Sequence, residues 1–267
     1  MLRSAVVAGQ FYPGQRDGLQ QAVEALTPAV DSEQSAIALM SPHAGYIYSG
    51  GVAGRTFSGV KIPEDVIILG PNHHGRGHMA AVYASGSWET PLGQIDISAD
   101  LARRILAECP MAAEDTVAHR FEHSLEVQVP FLQLLAPGTA IVPVCISRMP
   151  LETLLLFGEG LARAVASCNS APLIVSSSDM THYESGEVAR EKDFLALEKV
   201  LALDPEGLYN VVQEHNISMC GVLPTVIMLQ AALALGAKKA ELIAYSNSGD
   251  VTGDQSEVVG YAGVRVY

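Results

Sequence analysis

Basic side chains are scarce: 16 Lys and Arg stand against 29 Asp and Glu in 267 residues, a formal charge of −13 at pH 7. Nucleic acid is held by neutralising its phosphates, so this balance argues against it as a partner. The acids are dispersed rather than run together, the pattern of a solvated surface. No apolar run reaches the roughly 18 residues a membrane span needs. The apolar part of MLRSAVVAGQFYPG is short and broken by Gln10 and Pro13, unlike a secretory signal, so a soluble cytoplasmic chain is expected. The four cysteines are widely spaced with no CxxC pair, which argues against a disulfide framework. Also missing are GxGxxG, GxSxG and HExxH, the signatures of dinucleotide binding, of a serine-hydrolase elbow and of a zinc protease helix.

What is present is organised around Val66–Gly77, VIILGPNHHGRG. Four aliphatic residues in succession, without alternation, indicate a strand buried on both faces, as in a parallel sheet. Gly70-Pro71 should end it, because proline lacks the N–H that a central strand donates. His73 and His74 then lie just past its carboxyl end, where open α/β sheets place their ligands. The arrangement recurs: Ala36–Met40 runs into Ser41-Pro42-His43, and Leu173–Ser177 into Ser178-Asp179-Met180-Thr181-His182. Three strand ends each leading to a histidine argue for one shared site at one edge of one sheet.

Hydrophobic residues reach 49%, enough for a large core. Helical patterns at 17–26, 98–108, 151–165, 187–202, 204–214 and 223–235 alternate with strand candidates at 140–145, 241–245 and 261–266. A further helical face, Leu125, Val129, Leu132 and Leu135, is interrupted by Pro130. Short strands at 80–83 and 94–97 read as an antiparallel excursion. The alternation predicts a single α/β domain over residues 1–267, with helices on both faces of a sheet. Gly50, Gly51 and Gly54 are poor helix formers whose use here implies close approach to a neighbour or a ligand.

His43, His73 and His182, with Asp179 and Glu126, suit a first-row metal, since imidazole binds zinc, iron, copper and nickel. His74 is a candidate to face a substrate, whereas His78 and His119 read as surface. For Glu122-His123, a helix-start role competes with a site role. Cys109, Cys145 and Cys168 read as small core residues. Cys220 precedes Gly221 and a helix, where a thiol is expected to be acidified, so it could be a ligand, a nucleophile or neither.

The segments SPHAGYIYSG, ILGPNHHG, EHSLEVQVPFLQ, SSDMTHY and Cys220-Gly221, in this order, resemble the Memo family, whose prokaryotic members are known as AmmeMemoRadiSam system protein B. The likeness runs from AGQFYP at Ala8–Pro13 to Tyr261–Gly263. The resemblance implies a three-layer α/β/α sandwich similar to the LigB-type (class III) extradiol dioxygenases. It implies iron (Fe2+) first, with copper or zinc as alternatives, at His43, His73 and Cys220. It also implies acid/base work by His182 with Asp179; support or substrate contact is expected, on the residues themselves, from Tyr46, His74, His123 and Glu126. Dioxygenases of this type use two His and a Glu, so a Cys in place of the carboxylate means ring cleavage does not simply carry over. A metal-dependent oxidoreductase is the first expectation and a non-catalytic metal- or ligand-binding module the alternative, with a zinc hydrolase weakest. The family name implies a radical-SAM enzyme and an AMMECR-domain protein as partners, besides an unknown small-molecule or peptide ligand.

Overall fold

The structure, a computed structural model, describes residues 1–267. In chain order its strands are β1 (Leu2–Arg3), β2 (Ala38–Ser41), β3 (Asp65–Pro71), β4 (Ala80–Val82), β5 (Ser87–Thr90), β6 (Gly93–Asp96) and β7 (Ala113–Glu114). There follow β8 (Ala140–Ile146), β9 (Leu173–Ser177), β10 (His182–Glu184), β11 (Ala240–Asn247) and β12 (Val258–Val266). The helices are α1 (Arg16–Leu26), α2 (Tyr46–Phe57), α3 (Ala99–Glu108), α4 (Val129–Leu135) and α5 (Leu151–Ala166). The rest are α6 (Gly186–Leu201), α7 (Pro205–Glu214), α8 (Val222–Ala234) and the single turn α9 (Gly249–Thr252).

The aliphatic runs pair side by side. β2, β9, β3 and β8 are parallel neighbours in that order, flanked by antiparallel β12 next to β2 and antiparallel β4 next to β8. β7, β10 and β11 complete a nine-stranded sheet, and β1, β5 and β6 form a separate three-stranded one. Successive residues of each central strand supply opposite faces, as the pleat requires. Val66 and Ile68 pack with residues of α1, α2 and α4, whereas Ile67 and Leu69 pack with residues of α3, α5, α6, α7 and α8. Two cores on two faces of one sheet make the three-layer α/β/α architecture. No helix is long and apolar enough to cross a membrane.

Local expectations are corrected in several places. Gly70 and Pro71 still belong to the β3 ladder, opposite Cys145 and Ile146; the strand ends with Pro71 rather than before it. Pro143 lies inside β8, opposite Ile68, and its carbonyl turns the other way to accept from Tyr83 N–H. Its missing donor faces the same side, just past the end of β4, so the proline forgoes only the return bond to Tyr83 and none of the ladder to β3. The strand candidates at 80–83 and 94–97 do not pair with each other: β4 joins β8, and the hairpin partner of β6 is β5, which contains Trp88. Ser98 heads α3 without a side-chain capping bond. Ahead of Pro130 the helical face begins as a 3-10 turn, Glu126–Gln128, and Leu135 is left exposed. Gly50 and Gly54 of α2 serve a neighbour, not a ligand: β-carbons there would fall 2.7 Å from Leu26 Cδ1 and 2.0 Å from the Leu26 carbonyl oxygen of α1, whereas Gly51 faces open space and meets neither.

Candidate metal centre

Strand register brings the first groups together. β2 ends at Ser41 and β3 at Pro71, each followed two residues later by a histidine, while β9 between them ends at Ser177 and leads to Asp179. The His43 and His73 rings lie 5.3 Å apart. A third imidazole arrives from the loop before the 3-10 turn: His123 is 5.5 Å from His43 and stacks on His73 at 4.8 Å. One ring nitrogen from each of the three lies within 4.8 Å of the others. Gly70 lets that loop approach, since a β-carbon there would sit 2.8 Å from Ser124 Oγ and Leu125 Cγ.

Hydrogen bonds decide which nitrogens are free. The Nδ1 and backbone N–H of His73 donate to the two oxygens of Glu122, each at 2.8 Å. His43 Nδ1 lies 2.9 Å from Ser177 Oγ. That hydroxyl gives its one proton to the Ser124 carbonyl at 2.7 Å and accepts from Gln128 Nε2 at 2.8 Å. It must therefore accept from His43, which puts the His43 proton on Nδ1 and leaves Nε2 bare. A carboxylate or hydroxyl behind the ring is how metal-binding histidines are oriented. Burial pushes His43 well below its ordinary value, and the adjacent His123 and His73 push it further. Burial lowers His123 to about 4 against the pull of Glu122. Both rings are thus neutral, the metal-binding form, near pH 7. Burial opposes the charge on Glu122, yet bonds from His73 and Ser124 outweigh it and hold this carboxyl well below the usual range.

Around the imidazoles stand the other predicted groups. Asp179 accepts from His43 N–H at 2.7 Å, and its second oxygen is 4.0 Å from His43 Nε2. Burial raises it to about 7, so it can hold or release a proton near neutrality. His182 donates from Nδ1 to the Ser218 carbonyl at 3.0 Å, leaving its Nε2 free. Cys220 Sγ lies 3.3 Å from His43 Nε2, brought there because Gly221 packs where a β-carbon would meet Ser178 at 2.4 Å. It falls outside the set of three mutually close donors. The expected acidification of this thiol is reversed: burial, then Asp179, push it well above its ordinary value. A few residues at a helix start cannot offset removal from water.

Other groups are turned elsewhere. Glu126 is buried against Arg3 at 2.6 Å, Tyr12 Oη at 2.7 Å and the Val6 and Val7 amides, so it anchors the N-terminal segment. Tyr46 donates to the Val127 carbonyl at 2.8 Å with its ring between Tyr12 and Phe131. His74 is exposed, its Nε2 donating to the Phe121 carbonyl at 2.9 Å. His119 is not on the surface: it is 0% exposed, against Tyr83 and Trp88. Sequence reasoning left Glu122 undecided and passed over Ser177 and Gln128, the groups that orient the rings. The adjacency of Glu122 to His123 was the one available signal.

The donor set fits a first-row metal: three close imidazoles, two with protons held on the far nitrogen by buried partners. Comparison with known proteins agrees in scope. The family model described as Memo-like protein matches residues 3–265. A MEMO1 family protein of Aquifex aeolicus is 42% identical, covering 98% of each chain. MEMO1 family protein MK0963 of Methanopyrus kandleri is 39% identical over 99% of this chain and 98% of its own. Among solved structures, uncharacterized protein JW3007 of Escherichia coli K12 shares the fold at TM-score 0.53 and 18% identity, covering 85% of this chain and 98% of its own. A match of this length and order, over the segments that carry every group of the centre, means that the chain belongs to the Memo family.

Proposed function

We propose that this chain binds a first-row metal through His43, His73 and His123 and uses it in an oxidoreductase reaction. The observation that carries the reading is the unprotonated Nε2 of His43 and of His73, each ring held from behind by a buried hydroxyl or carboxylate, with His123 beside them. Imidazole suits iron, copper and zinc alike; the likeness to iron dioxygenases puts Fe2+ first. When bound, the metal would supply electrophilic or one-electron chemistry that no side chain here offers. The chain's own part is proton handling. His182 Nε2 is free to take a proton from a substrate, because Nδ1–H is spent on the Ser218 carbonyl. Asp179 sits within 4.0 Å of His43 and is balanced between acid and carboxylate near pH 7. Protein loaded anaerobically with Fe2+ is expected to consume O2 with a diol or thiol, and His182→Ala to stop consumption while keeping the metal. Loaded protein inert toward every diol and thiol tried would sink the oxidoreductase half of the proposal.

A further inference from the structure

Cations are few in this chain, yet three of those without an ion-pair partner fringe the edge of the sheet that carries the centre. Arg76 follows β3 by five residues and Arg148 follows β8 by two, with Ser147 N–H bonded to the Met79 carbonyl at 2.7 Å. Arg120 immediately precedes Phe121, Glu122 and His123. Arg76 and Arg120 are exposed, neither lies within 4.0 Å of a carboxylate, and neither side chain donates a hydrogen bond. What they share is one ring: their guanidinium carbons lie 5.1 and 5.3 Å from the centroid of Phe121. Phe121 is 45% exposed, and its carbonyl receives the bond from His74, the neighbour of His73. The acids nearby are engaged: Glu122 with His73, Glu126 with Arg3, and Asp115 with the His78, Val117 and Ala118 amides.

From this geometry we infer that Arg76 and Arg120, on the Phe121 ring, form an anion-binding rim that selects ligands bearing a carboxylate or phosphate for the adjacent centre. A guanidinium can pair two N–H donors with two oxygens of either anion, and a ring beneath holds the fork at little cost in freedom. On a protein of charge −13 the overall field disfavours anions, so an unneutralised pair at one edge also steers them there. Phe121 offers the apolar remainder of the ligand a surface next to the charge. The inference deepens the proposed function and rests on its placement of the site, but not on metal being bound.

The test is calorimetric titration of metal-free protein with phenyl phosphate, benzoate and neutral benzyl alcohol. Both anions are expected to bind and benzyl alcohol not to. The double variant Arg76→Ala/Arg120→Ala should weaken anion binding at least tenfold, Phe121→Ala should weaken it less, and Arg55→Ala, at the far end of α2, should leave it unchanged. The ratio of the two anion affinities identifies which head group the rim prefers. No anion binding by the parent, or equal affinity in the double variant, overturns the inference. Metal content is assayed in parallel: a rim that binds anions in a chain that takes up no metal would contradict the metal reading and leave the rim standing.

Discussion

At the scale of the residue, the centre depends on partners behind the imidazoles as much as on the imidazoles. Replacing the Glu122 carboxylate by an amide removes a charge that fixes both the tautomer and the rotation of His73. Glu122→Gln is therefore expected to lower metal affinity about 10- to 100-fold without unfolding the chain, as loss of such orienting groups does elsewhere. Competition with a chromogenic chelator checks it. Away from the centre, His119 carries a separate prediction. Its Nε2 donates to the Ala81 carbonyl at 3.0 Å, its Nδ1 has no partner, and burial lowers it from 6.5 to about 4. Between those values the unfolded chain binds a proton that the folded one refuses, so this residue costs stability as pH falls through 6.5 toward 4. Asp179 acts in the opposite sense, because its folded form holds a proton up to about 7. The His119 share is isolated by comparing His119→Gln with the parent in urea at pH 7 and 4.5. The variant should lose less stability on acidification, by on the order of 2 kcal/mol.

At the scale of the element, the N-terminal segment is fastened by a buried clamp. Arg3 pairs with Glu126, donates to the His119 and Glu122 carbonyls, and lies 4.1 Å from the Trp88 ring centroid. Removing one partner of a buried pair leaves the other uncompensated, so Glu126→Ala should cost about 3–5 kcal/mol in urea unfolding. Loss of amide protection at Val6 and Val7, whose N–H groups also bond Glu126, should accompany it. A variant of undiminished stability would mean the clamp is solvated. The same residue shows where sequence reading fails. Glu126 lies three positions after His123, spacing that on a regular helix gives one face. The 3-10 turn and the close packing on the N-terminal segment send the two side chains apart. The strands were far more legible. β2, β3 and β9 are unalternating aliphatic runs, a pattern set by burial on both faces, and each run ends close to where the pairing ends. β5 was not legible, because Ser87–Thr90 is half-buried and is defined by its partners β1 and β6.

At the scale of the whole molecule, the centre follows from strand order. β9 lies between β2 and β3, so three strand ends far apart in sequence deliver His43, Asp179 and His73 to neighbouring points of one edge. That convergence was readable as three strands each running into a histidine. His123 was not readable as a close third donor, because it comes from a loop that no periodicity positions, admitted by the absence of a side chain at Gly70. Cys220 illustrates the converse: the sequence places it at a helix start, but only the fold reveals that its half-buried sulfur lies beside His43 and Asp179. The centre's assignment as a metal site is tested most directly by the metal content of anaerobically purified, iron-loaded protein, with His43→Ala, His123→Ala and Cys220→Ser in parallel. The account predicts near-stoichiometric metal in the parent, its loss in both histidine variants, and a smaller loss in Cys220→Ser. A parent that takes up no metal after loading, or histidine variants that keep it, would contradict the account.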